Sequence, residues 1–160
     1  MKKLITLLMV FAVTFTVNAQ IETPQPSPSQ KMEQKVGLTD VTVEYSRPSM
    51  RGRTVFGNLV PYGKLWRTGA NQNTMVTFST DVMIGGKTVK AGSYAIFTTP
   101  NKDNWEVVFY SDTNNWGTPQ NWDESKVAAK VTAEVYEIPM DIETFTISFD
   151  DLTNDSAVLG

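Results

Sequence analysis

The 160-residue sequence contains no cysteine and no histidine. Without cysteine there are no disulfides, so a fold outside the cell must rest on its apolar core alone. Without histidine, imidazole-based triads, general bases and zinc sites are all excluded. No phosphate-binding loop or dinucleotide glycine fingerprint occurs, and no stretch shows convincing amphipathic-helix spacing. A further absence is local, for no carboxylate lies between Glu44 and Asp81. All four arginines (Arg47, Arg51, Arg53 and Arg67) fall inside that gap, together with Lys64. The balance then reverses: from Asp103 to Gly160, twelve carboxylates face only Lys126 and Lys130. The whole chain carries a formal charge of −3, which leaves nucleic acid out as a partner.

The amino terminus has the three parts of a secretory signal. Lys2 and Lys3 are followed by an apolar run from Leu4 to Val17, and Val17-Asn18-Ala19 offers small residues before Gln20. The run is shorter than the roughly 20 residues of a membrane span. We therefore expect a signal peptide at 1–19 and a mature chain beginning at Gln20, located in the periplasm or secreted, with no membrane span. No cysteine is present to take a lipid anchor. Ile21–Gln30 is rich in proline and serine, and residues 20–34 read as an extended or mobile lead-in. Residues 35–160 are enough for one domain with a sizeable core.

Within that domain the pattern is strand, turn, strand. Val41, Val43 and Tyr45 alternate with polar neighbours, as do the residues of Met75–Ser79. Val82–Ile84 and Lys87–Val89 flank Gly85-Gly86, a two-residue hairpin signal. Ser93–Thr99 and Trp105–Tyr110 predict another hairpin. Val127, Ala129, Val131, Ala133 and Val135 hold a period of two, as do Phe145, Ile147 and Phe149. Ser156–Leu159 begins a last strand just before Gly160, which means a short strand or a truncated chain. The expectation is an all-β antiparallel sandwich of seven to eight strands with a long Gly/Pro/Arg-rich loop segment. Its core should include Val41, Val43, Val76, Phe78, Val107, Phe109, Val131, Phe145 and Ile147.

The segment Y-S-R-P-S-M-R-G-R-T-V-F-G-N-L-V-P-Y-G-K-L-W-R-T-G-A-N, Tyr45–Asn71, resembles the hallmark of exported bacterial proteins catalogued as domain-of-unknown-function family 2911. The resemblance continues through Phe78, Asp81-Val82, Ile84, Gly86-Lys87, Ala91-Gly92, Tyr94, Phe97-Thr98, Pro100 and Trp105. It implies export and gives weight to the motif, but brings no activity. The family's pattern runs on past Val158-Leu159 into a tryptophan-containing strand, which adds to the expectation of truncation.

Pro48, Gly52, Gly57, Gly63 and Gly69 break the motif into turns, and loops on a rigid sandwich are where binding residues sit. Arginine's planar fork of donors fits carboxylate, phosphate and sulfate. The candidate ligand site comprises Tyr45, Arg47, Ser49, Arg51, Arg53, Tyr62, Lys64, Trp66, Arg67 and Asn71, for a small anionic ligand or acidic glycan. Thr68–Asn71 is a candidate nest of backbone N–H groups. The competing reading is that the arginines pin the loops by bonding backbone carbonyls or distant acids.

Three other features carry alternatives. Trp66, Trp105, Trp116 and Trp122 are a sugar platform or core caps. Asp112, Asn114 and Asp123 match a calcium loop only in part, since Trp116 replaces its fifth ligand, so no cofactor is expected. Ser46 or Ser49 with Lys64, and Tyr62, are the available chemistry for a hydrolase-like enzyme. Asp123-Glu124 and Asp150-Asp151 are adjacent pairs, which a strand splits between two faces. A basic loop surface docking an acidic partner, as in an envelope assembly module, is a third functional reading.

Overall fold

The computed structural model describes residues 23–160, so the expected signal peptide lies outside the described residues. The architecture is all-β and antiparallel. Its main sheet has six strands, β1 (Ser29–Val36), β2 (Thr39–Ser46), β3 (Thr74–Phe78), β6 (Gly92–Pro100), β7 (Asn104–Tyr110) and β8 (Val127–Glu134), in spatial order β1-β2-β3-β6-β7-β8. Two small hairpins complete it, β4 (Val82–Ile84) with β5 (Lys87–Val89), and β9 (Phe149–Asp150) with β10 (Val158–Leu159). Among the described residues no helix is long and apolar enough to cross a membrane.

Period-two alternation decides which side chains go inward. Register places Val43 opposite Val76 and Val76 opposite Tyr94, while Ile96 faces Phe109 and Phe109 faces Ala129. These residues line one face of the sheet and form the main core. Val82, Ile84 and Val89 of the β4–β5 hairpin, with Phe145, Ile147 and Phe149, close over that face as a second, sandwich-like layer. On the opposite face Ala95, Phe97, Val108 and Tyr110 form a smaller cluster, covered by Leu65, Trp122 and Val127. The Gly85-Gly86 turn forms as expected, with Ile84 pairing Lys87 and positive φ at both glycines.

Several local differences have physical causes. Residues 29–34 of the expected lead-in belong to strand β1, which pairs with β2 along its whole length. It is an edge strand whose outer side chains meet solvent, so Met32 and Val36 alone signal its inner face. Phe145 and Ile147 point inward, but no continuous strand runs through them. Their backbone is satisfied piecewise: Ile147 N–H donates to the Tyr45 hydroxyl at 3.0 Å, and Ser148 exchanges two hydrogen bonds with Gly160. Val107, Val131 and Phe145 are half-buried rather than buried, because they sit at the margin of the second layer.

The long excursion from Arg47 to Asn73 leaves the sheet between β2 and β3. It returns as Trp66, whose backbone exchanges two hydrogen bonds with Thr98 of β6 at 2.8 and 2.9 Å. Trp66 thereby occupies the place beside β6 that β3 leaves at Thr74. Its indole goes to the core face, and Leu65 goes to the other.

A basic and aromatic groove as candidate functional site

The arginine loop is held against the C-terminal segment by antiparallel contacts. Met50 N–H donates to Glu143 O at 2.7 Å, Phe145 N–H donates to Pro48 O at 2.9 Å, and Ser49 bridges Thr144. Between the loop and the segment that follows β8 lies an open groove of about 1610 Å³. Four aromatic rings form its floor. Phe56 meets Trp105 at 4.7 Å and Trp66 at 5.9 Å, while Trp66 meets Phe145 at 5.2 Å, all edge to face. Such pairs fix ring orientation as well as burying area. Tyr62 stands on the wall, its ring packed over Gly57, where any β-carbon would meet it at 2.7 Å.

Of the ten residues expected at the site, Ser49, Arg51, Arg53, Tyr62, Lys64, Trp66 and Arg67 line this groove. Tyr45, Arg47 and Asn71 do not. Tyr45 is buried in the main core, where its hydroxyl donates to Gln30 Oε1. Arg47 is half-buried and spends its guanidinium on the C-terminal segment. It donates to Phe145 O at 2.9 Å and to the hydroxyls of Thr144 and Thr146 at 2.9 and 2.7 Å. Asn71 ties the loop to the lead-in and β2 through Gln25, Ser27 O and Ser46 Oγ. The Thr68–Asn71 turn has positive φ at Thr68, Gly69 and Asn71, but folds on itself. Thr74 Oγ1 donates to Thr68 O, and the Trp66 indole donates to Gly69 O.

The three groove arginines are anchored yet retain donors. Arg53 donates to Met50 O and Ser49 O, Arg67 to Asn71 O, and Arg51 to Pro26 O at a long 3.4 Å. A guanidinium has five N–H donors, so anchoring of this kind leaves several on each. Among the described residues no arginine forms an ion pair with a carboxylate. Arg51, Arg53, Lys64, Arg67 and Lys102 line the groove against Glu137, Asp141 and Glu143, a positive balance in an acidic chain. Glu143 is partly committed, since Oε1 accepts from Arg51 N–H at 2.9 Å.

Sequence reasoning missed the facing wall. After β8 the segment Val135–Glu143 lies along the groove with Tyr136, Ile138, Met140 and Ile142 at least half exposed. The signal was present, since these apolar residues alternate with Glu137, Pro139, Asp141 and Glu143. Pro139 in the middle disguises it, because proline cannot donate to a ladder.

The remaining candidates are accounted for by their contacts. Trp122 stacks on Tyr110 at 4.5 Å and caps the smaller core cluster, Trp105 and Trp66 belong to the groove floor, and Trp116 is exposed. Asp112 Oδ2 accepts from Lys126 at 2.7 Å, and this bond, with the Asn114 N–H, holds its carboxyl below the usual range. Asp123 is lowered likewise by the Ser125 hydroxyl and N–H, as it caps the short helical turn Glu124–Lys126. Each carboxylate therefore has its own protein partner. Among the described residues no hydrogen bond links Ser46 or Ser49 to Lys64; Ser46 Oγ accepts from Asn71 instead.

These observations define a class: an all-β antiparallel protein with a basic, aromatic-floored groove beside its main sheet. The chain belongs to the family described as "Protein of unknown function (DUF2911)", which matches residues 27–160. No curated protein and no solved structure matches it.

Proposed function

We propose that this is an exported binding protein whose groove takes an anionic ligand with an apolar body. The observation that carries this reading is the meeting of two features in one groove. Arg51, Arg53 and Arg67, without carboxylate ion pairs among the described residues, share it with the aromatic floor of Phe56, Trp66 and Trp105. Arginine forks recognise a carboxylate, phosphate or sulfate, and the rings and exposed aliphatics take the apolar part. The division of labour among the arginines supports it. Arg47 secures the scaffold, while the other three stand on the groove with donors to spare.

The test is a thermal-shift series at low ionic strength with acetate, benzoate, inorganic phosphate, phenyl phosphate and naphthyl sulfate. The aromatic members should raise the melting temperature more than acetate and inorganic phosphate at equal concentration. A ligand at 100 times its Kd adds about 2.7 kcal/mol. Arg53→Ala and Trp66→Phe should each weaken the shift, and added salt should reduce it. No shift with any member, or equal shifts in Arg53→Ala, would refute the reading.

A second reading, a module that docks an acidic protein partner, draws on the exposed Tyr136, Ile138, Met140 and Ile142 along the groove. It predicts capture of a partner that salt releases, with no response to the small anions.

A further inference from the structure

A second concavity, which shares no lining residue with the groove, lies on the face of the main sheet opposite the large core. It measures about 600 Å³ and is lined by β1, β2, the entry to β3 and the segment Thr113–Trp116. We propose that it binds a neutral polyhydroxylated ligand, a mono- or disaccharide unit, between the Trp116 indole and the Asn73 carboxamide.

The first observation is Asn73. It is 5% exposed, and both amide atoms, Oδ1 and Nδ2, are buried without a hydrogen-bond partner among the described residues. A buried amide left unpaired costs stability, which an apolar residue at this position would not. A carboxamide presents one acceptor and two donors side by side, the complement of adjacent sugar hydroxyls, which both donate and accept.

The second observation is independent of the first. Trp116 lines the same cavity with 71% of its surface exposed, whereas Trp122 on the same loop is packed into a core cluster. An indole left in water at a cavity offers a flat apolar face, which suits the C–H face of a pyranose.

The third is the character of the lining. The side-chain amides of Gln72 and Asn114 also border the cavity and make no hydrogen bond within the described residues. Its lining carries one charge of each sign, Lys31 and Glu44 at facing positions of β1 and β2, and Lys31 forms its ion pair with Glu33 at 2.6 Å. That balance fits a neutral ligand, in contrast to the basic groove. The volume falls within the usual range of small-ligand pockets, about 300–1,000 Å³. Because the Asn73 amide is fully buried, a ligand in the cavity reaches it only as the lining shifts, and Thr113–Trp116 is the loop segment of that lining. The hydrogen bonds of that segment are local, from Asn114 N–H and Asn115 Nδ2 to Asp112.

The test is an array of neutral glycans probed with the labelled protein, followed by calorimetric titration of the best neutral oligosaccharide. Trp116→Ala and Asn73→Ala should each weaken that affinity at least tenfold, with Met83→Ala, on the exposed β4–β5 hairpin, as the unaffected control. Asn73→Ala should leave the melting temperature unchanged or raise it, since an unpaired amide is removed. No neutral glycan bound above background would overturn the proposal. So would an affinity indifferent to both substitutions, or an Asn73→Ala variant that loses several degrees of stability while binding normally, the behaviour of a structural asparagine.

Discussion

Arg47→Ala separates the two roles open to an arginine in this chain. Among the described residues Arg47 makes three side-chain hydrogen bonds, all to residues 144–146, nearly one hundred positions away in sequence. Truncation strands Phe145 O, which is partly buried, whereas the Thr144 and Thr146 hydroxyls can turn to water. One unmet buried acceptor costs about 1–3 kcal/mol, and loss of the half-buried aliphatic stem adds to it. An unfolding entropy of about 2.1 cal/mol/K per residue, over roughly 140 residues, makes this a fall of about 3–10 °C in melting temperature. Differential scanning fluorimetry and urea unfolding should agree on it. Arg47→Lys should recover little, because an ammonium keeps the charge but loses the planar fork. Arg53→Ala is the control: it is exposed, bonds among the described residues only to Ser49 O and Met50 O nearby, and should stay within about 0.5 kcal/mol. The pinning role of Arg47 is refuted if Arg47→Ala moves the melting point by less than about 1 °C while abolishing the response to benzoate or phenyl phosphate.

Tyr45→Phe should cost about 1–3 kcal/mol by urea unfolding, because Ile147 N–H, 3.0 Å from the hydroxyl, loses its acceptor in the core; a neutral result would mean that water or a shifted backbone replaces it. The Asp112–Lys126 pair should shape the pH profile. Hydrogen bonding to Lys126 lowers Asp112, so its contribution is fully present above the ordinary aspartate pKa of about 3.9 and is lost as pH falls through the lowered folded value. Lys126 is raised by the same bond, so its contribution is present below the ordinary lysine pKa of about 10.4 and is lost as pH rises through the raised value. The gap in urea midpoint between the wild type and Lys126→Gln should therefore be widest from about pH 5 to 9 and narrow at both ends. A gap constant from pH 2 to 11 would remove the pair from the account.

Class, strand alternation and most of the core were legible in the sequence, because period two and the Gly85-Gly86 turn are local properties of the chain. Val41, Val43, Val76, Phe78, Phe109 and Ile147 are buried where alternation put them. Strand β1 was hidden because an edge strand buries only one side of a polar sequence. The clustering of arginines also pointed to the loop that lines the groove. Which arginine serves which end was not legible, since Arg47, Arg51, Arg53 and Arg67 are chemically alike. Their roles depend on partners such as Phe145, Thr144 and Asn71, chosen by the packing of distant segments. The facing wall from Tyr136 to Ile142 and the cavity between Asn73 and Trp116 belong to the same class of information. A sequence records which side chains exist and how they alternate, so it determined the sheet and the charge cluster. Only the tertiary structure decides which carbonyls an arginine meets and which amide is left without a partner, because those contacts join residues that the chain keeps far apart.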